Sequence, residues 1–136
     1  MALLDLALNS NKEPVPLKDI ARRQGIPLHY LEHLIAPLVA AGIAGSTRGA
    51  RGGLHLLKPP REIKLSEVIN LLEGPVAPVG CITNPETCPR SDTCVTRDVW
   101  DEVKRAIEGV LESITLQDLV DRHQKKAQST KAMYHI

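Results

Sequence analysis

The chain has 136 residues, enough for one domain or one domain with an added element, and with no Phe, one Trp and two Tyr its core must be built from Leu, Ile, Val and Ala. Its formal charge of +1 is unevenly spread: from Leu17 to Lys64 eight Lys or Arg stand against three acids, a net of +5, whereas from Leu65 onward eight basic residues meet eleven acids, a net of −3. The first part can face a polyanion, the second much less so, and the absence of an apolar run of about eighteen residues excludes a membrane-spanning helix.

Ala2 to Leu8 is apolar on nearly every side apart from Asp5, the pattern of a helix buried in a small bundle. The same stretch is too short for a secretory h-region and has no basic n-region, so a cytoplasmic location is expected. Asn9, Ser10 and Asn11, then Pro14 and Pro16, end it. Leu17, Ile20 and Ala21 mark one face of a short second helix whose other face carries Lys18, Arg22 and Arg23, and Gly25 stops it. A third helix carries Leu31, Leu34, Ile35 and Leu38 as a core stripe and presents His29, Tyr30, Glu32, His33 and Ala36 on the opposite face. Two helices joined by a short Gly-containing turn form a helix-turn-helix, whose second helix enters a major groove with its N-terminal residues leading. That places His29, Tyr30 and Glu32 to meet base edges; a solvated helical hairpin is the plain alternative. Pro37, interior to this helix, predicts a kink.

Ile43 to Thr47 and Leu54 to Leu57 read as short strands, with Arg48, Gly49, Ala50, Arg51, Gly52 and Gly53 as the turn between them. Directly after a helix-turn-helix, such a hairpin is a wing. Its glycines let backbone approach a phosphate or a groove floor, and Arg48 and Arg51 suit a narrow minor groove. An ordinary basic hairpin turn is the competing reading. Pro59 and Pro60 close the wing, and Leu65, Val68, Ile69 and Leu72 stripe a fourth helix that ends at Gly74 and Pro75. Residues 75–80 form a stiff linker.

All three cysteines follow: Cys81, Cys88 and Cys94, with six and then five residues between them. Three thiolates at this spacing converge only if the loop folds back on itself, and a metal centre would supply the reason. Free thiols behaving as small hydrophobes are one alternative. A disulfide framework fits poorly, because the count is odd. Structural zinc prefers closer pairs and four ligands, whereas soft thiolates with a missing or non-cysteine fourth ligand suit an iron-sulfur cluster at least as well. No cysteine has a histidine near it in sequence, and no phosphate loop or carboxylate pair appears, so a thiol-dependent enzyme is a remote alternative and the chain is not read as an enzyme. Val95, Val99, Val103, Ile107, Val110, Leu111 and Ile114 then recur every three or four residues, a stripe longer than one small domain can cover. A second copy of the chain is its expected partner. Thr115 reads as the N-cap of a last short helix containing Leu116, Leu119 and Val120, and from Ala127 on the polar sequence is expected to be disordered.

The order of these parts resembles the Rrf-type family of winged-helix transcription regulators, the group of IscR and NsrR. The resemblance rests on LKDIARRQGIPLHYLEHLIAPLVAAGI, STRGARGGLHL, KLSEVINLLEG, the cysteine loop with CVTRDVW, and ITLQDLV, and it reaches to about Arg122. It implies a mainly α fold: a winged helix-turn-helix with a two-stranded wing over residues 1–74, a cysteine loop over 75–94, a dimerisation helix with a short terminal helix over 95–126, and a disordered tail over 127–136. It further implies a homodimer on a pseudo-palindromic double-stranded DNA operator, and operator affinity set by an iron-sulfur cluster, 2Fe-2S ahead of 4Fe-4S, on Cys81, Cys88 and Cys94. Tyr30, Glu32 and Arg48 match the family's DNA-facing positions. The alternative within the family is redox-active or zinc-binding cysteines without a cluster. Arg97 occupies the place of the IscR-type histidine ligand and is no metal ligand, which leaves the fourth ligand open, with Glu86, Asp92 and Asp98 as local oxygen donors. NsrR-type proteins draw that ligand from a basic N-terminal segment, and Met1 here falls inside the helix that follows it. The first cysteine interval is also one residue longer than the family's.

Overall fold

The computed structural model describes residues 1–9 and 13–134. Ser10 and Asn11 of the predicted helix stop, and the last two residues of the predicted tail, lie outside that set. The chain divides into two compact units, Met1–Ile63 with Thr115–Ile136, and Lys64–Ile114. The sequence boundary at Gly74 therefore falls inside the second unit, and the terminal helix rejoins the first.

The first unit is helical with one small sheet. It contains α1 (Ala2–Asn9), α2 (Leu17–Gln24), α3 (Leu28–Ala40), β1 (Ala44–Thr47), β2 (Gly53–Leu56) and the terminal helix, α7 (Leu116–Tyr134). Leu6, Ile20, Leu31, Ile43, Ile63 and Leu116 are its largest fully buried side chains, drawn from α1, α2, α3, the residue before β1, the segment after β2, and α7. Burial of each aliphatic side chain of this kind contributes about 1.5–3 kcal/mol. α2 ends in a Schellman motif: Gly25, with φ of 62°, donates to the Arg22 carbonyl, and Ile26 donates to that of Ala21. Three residues later α3 begins, and it continues through Pro37. The missing N–H there removes one hydrogen bond without ending the helix.

β1 and β2 pair antiparallel, with Ala44 opposite Leu56 and Thr47 opposite Gly53. Val15 bridges to Leu54 from the other side through two 2.8 Å backbone hydrogen bonds. A Cβ on Gly53 would lie 2.4 Å from the Val15 backbone, and one on Gly52 would lie 2.2 Å from the Thr47 carbonyl oxygen. These two glycines, expected to admit a nucleic-acid backbone, are required first by the protein's own chain.

α7 is capped as the sequence predicts, by reciprocal bonds: Thr115 N–H donates to the Asp118 carboxylate and Asp118 N–H to the Thr115 hydroxyl. It does not stop before Ala127 as expected but runs to Tyr134. The segment has no Gly or Pro to break it, and Ala, Gln, Lys and Met sustain a solvated helix.

The second unit holds α4 (Leu65–Glu73), α5 (Gly80–Thr83), a 3-10 turn at Pro85–Thr87, and α6 (Val95–Ser113). α4 packs on α6, tied by Lys64 Nζ and Ser66 Oγ, which both donate to the Glu112 carboxylate at 2.5 and 2.7 Å. These bonds hold the Glu112 carboxyl below its ordinary value, Lys64 contributing most. Val68 is the one buried hydrophobic residue of this unit, and α6 buries none.

Asp5, the discordant residue of α1, is buried and accepts two bonds from Arg23 Nε and Nη2 and one from Gln24 Nε2. Arg23, expected on the solvated face of α2, thus ties α2 to α1. Periodicity alone could not assign it a partner eighteen residues upstream. The Arg23 guanidinium, opposed by burial and assisted by Gln24 and Asn9, lowers the Asp5 carboxyl below its usual range. A carboxyl depressed in the folded state stabilises fully above the ordinary Asp value of about 4 and loses that contribution as pH falls through the lower folded value. Asp5→Ala, which leaves donors unsatisfied, should destabilise by about 1–3 kcal/mol. It should also flatten the acid limb of the stability profile; equal urea midpoints for variant and parent at neutral pH would contradict this role.

Candidate nucleic-acid interface and cysteine loop

In the first unit, Leu31, Ile35 and Leu38 of α3 point into the core, which turns the intervening positions outward. His29, Tyr30, Glu32 and His33 are all exposed. Three of them interact: the His29 and His33 rings meet edge to face with centroids 4.7 Å apart, and Glu32 Oε2 lies 3.9 Å from His29 Nδ1. The face is therefore polar and internally connected rather than a set of independent side chains. The sequence signal for the pairing is the i, i+4 spacing of the two histidines.

Arg48 and Arg51 stand exposed on the turn between β1 and β2, which is closed by a 3.0 Å bond from Gly52 N–H to the Gly49 carbonyl. Among the described residues neither arginine has an ion pair within the chain, so both cations are available to an external anion. Every residue predicted to face DNA thus lies on the surface of the first unit, on α3 or on the hairpin.

The cysteines belong to the second unit. Cys81 lies in α5, Cys88 follows the 3-10 turn, and Cys94 caps α6. All three are free and half-buried. The loop is held by its own polar groups: the Ser91 hydroxyl, buried, donates 2.8 Å to the Pro85 carbonyl, and Arg97 Nε donates 3.3 Å to the Cys81 carbonyl. Arg97, discounted above as a ligand, instead clasps α5 to the start of α6. Neither Ser91 nor Arg97 carried a local pattern that revealed these bonds.

Cys94 Sγ lies 2.9 Å from the Thr96 hydroxyl. That hydroxyl first, and then the Arg97 backbone N–H at the open end of α6, lower the Cys94 thiol below its ordinary value, against burial and the nearby Asp98. The donor chemistry therefore suits a thiophilic iron centre, with one thiol shifted toward easier deprotonation. The arrangement suits it less: among the described residues no three His, Cys, Asp or Glu side chains converge closely enough to hold a metal ion. Glu86, Asp92 and Asp98 do not complete a ligand set either. Among the described residues no helix is long and apolar enough to cross a membrane.

The chain is similar to known transcriptional regulators over most of its length. The sequence model of the Rrf2 family, described as iron-dependent transcriptional regulators, matches residues 1–122. The chain is 43% identical over 118 residues to protein rrf2 of Nitratidesulfovibrio vulgaris, covering 87% of this chain and 79% of that protein. It is 42% identical over 123 residues to the transcriptional regulator IscR of Photorhabdus laumondii, covering 90% and 74%. Among solved structures, IscR of T. potens superposes with a TM-score of 0.75 at 42% identity over 92% of this chain and 82% of that one. CymR, the global cysteine regulator of B. subtilis, does so at 0.73 and 35% identity over 88% of each.

Proposed function

Because this chain belongs to the Rrf2 family and is a transcriptional regulator of the IscR-like kind, we propose that it binds a pseudo-palindromic operator as a homodimer and that an iron-sulfur cluster on Cys81, Cys88 and Cys94 sets its affinity. The observation that carries the DNA reading is the first unit itself: a helix-turn-helix followed at once by an Arg-tipped hairpin, with His29, Tyr30, Glu32 and His33 of α3 exposed. In this reading α3 enters a major groove, Tyr30 and Glu32 meet base edges, His29 and His33 flank them, and Arg48 and Arg51 contact phosphates or the adjacent minor groove. Glu32 accepts from a cytosine amine when correctly placed and repels phosphate when it is not.

The dimer reading is supported by α6. Val99, Val103 and Val110 are 58%, 37% and 56% exposed, and Ala106, Ile107, Val110 and Leu111 line one apolar groove along the helix. Exposed aliphatic residues recurring at helical spacing are the signature of a surface covered by a partner. A charge placed in this stripe is a direct test. Val103→Glu should convert the dimer to a monomer in sedimentation equilibrium while leaving the helical circular dichroism unchanged, and a variant still dimeric at micromolar concentration would exclude this surface.

The cluster reading rests on the soft donor set and on the lowered Cys94 thiol. When bound, an iron-sulfur cluster supplies sensitivity to oxidation, nitric oxide and iron supply. The chain supplies Cys81, Cys88 and Cys94 as ligands, with Arg97 and Ser91 keeping the loop folded between them. Cys88→Ala should leave the protein folded and able to dimerise but abolish the visible absorption of anaerobically purified protein and change operator affinity. Retention of the full spectrum in that variant would remove Cys88 from the ligand set; a zinc-loaded parent would favour zinc-binding cysteines, and a metal-free one direct thiol chemistry.

Arg48→Ala tests the wing. Loss of one phosphate or groove contact should weaken operator binding and reduce the slope of log affinity against log salt by about one. Superimposable gel-shift titrations for variant and parent at two salt concentrations would deny Arg48 a contact.

A further inference from the structure

On the exposed face of α3 the Nε2 atoms of His29 and His33 stand 3.3 Å apart, with the two rings inclined at 82°. Two donors bound to one tetrahedral ion at a Zn–N distance of about 2.0–2.1 Å are separated by a tetrahedral edge of about 3.3–3.4 Å. The two nitrogens thus already hold the separation that a single ion requires. The tautomers decide which Nε2 donates to the other in the free pair; a metal ion that displaces and releases that proton uses both lone pairs once the rings turn to converge on it.

A second feature points the same way. Glu32 Oε2 is 3.9 Å from His29 Nδ1, the nitrogen not shared with His33, which is ion-pair distance and longer than a direct hydrogen bond. A carboxylate on the non-ligating nitrogen is the usual outer partner of a metal-bound imidazole, where it fixes the tautomer and the ring orientation. The three residues come from one turn of helix, so the spacing is imposed by α3 rather than by a mobile loop.

We propose that His29 and His33 form a two-imidazole site for a borderline transition-metal dication of the zinc, nickel or copper class, with Glu32 as the positioning residue and water in the remaining coordination positions. Among the described residues no third His, Cys, Asp or Glu converges there. The site is therefore open and exchangeable, unlike a closed four-ligand structural site. Its nitrogen donors distinguish it from the sulfur donors of the cysteine loop, which select softer centres.

The test uses zinc itself, on the full chain carrying Cys81→Ser, Cys88→Ser and Cys94→Ser so that no thiol competes. Calorimetric titration should give one zinc ion per chain, and the ring resonances of His29 and His33 should move while those of His55, His123 and His135 stay. Adding His33→Gln should weaken binding by at least the roughly tenfold that the loss of an outer partner alone costs, and Glu32→Gln should weaken it less. Should the triple variant misfold, the same histidine resonances can be followed in the parent chain with its thiols alkylated. Unchanged zinc affinity in the His33→Gln chain, or movement confined to His55, His123 and His135, would overturn the proposal. The titration contains no DNA, so its failure leaves the operator reading intact, and the failure of operator binding leaves the metal site standing.

Discussion

The first unit depends on a single constraint: with no Phe in the chain, its interior must be filled by aliphatic side chains drawn from segments along its whole length. Leu6, Ile20, Leu31, Ile43, Ile63 and Leu116 meet this requirement together. A core of this kind has no large ring to anchor it, so each segment must be held at the correct distance by its backbone ends. The Schellman turn after α2, the Val15 bridge to β2 and the Thr115–Asp118 cap are the local devices that do so. They also fix what lies outside. Once Leu31, Ile35 and Leu38 are committed to the core, the outward positions of α3 are determined by the helical period alone.

Asp5 shows how such a core tolerates a charge. A carboxylate buried without partners would be strongly disfavoured, but here it accepts from two residues of α2 and from Asn9 Nδ2. Arg23 brings its own charge only part of the way in, its side chain remaining 37% exposed, so it forgoes only part of its hydration. The pair acts as a directional fastener between α1 and α2, a specificity that interchangeable aliphatic contacts do not provide.

Features legible in the sequence are those encoded locally. The helix-turn-helix follows from two apolar stripes and Gly25, the hairpin from a Gly- and Arg-rich turn between short apolar runs, and the α7 cap from Thr115 with Asp118 three residues on. What was not legible depends on partners distant in sequence or on competition between weak preferences. Nothing near Arg23 announces Asp5, and nothing near Arg97 announces the Cys81 carbonyl. The extension of α7 past Ala127 reflects a balance between composition, which suggested a tail, and helix propensity, which prevails in the absence of a breaker. Likewise, three cysteines in one loop can be read from spacing, but their convergence is a tertiary property that spacing does not determine.

That last distinction bears on how the loop could serve the proposed cluster. Gathering three thiolates requires movement, and the movement should not fall equally on all three. Cys94 is fixed by its place at the head of the nineteen-residue α6 and by the groups there that favour its thiolate. Cys81 lies in a helix of four residues and Cys88 beside a 3-10 turn of three, and neither element has a buried apolar residue. Segments with so little burial open at low free-energy cost. The economical path to a ligand set is therefore rearrangement of the two short turns around a stationary Cys94. In that process Arg97, which holds the Cys81 carbonyl from the first turn of α6, is the restraint that either guides the first sulfur toward the last or must release it.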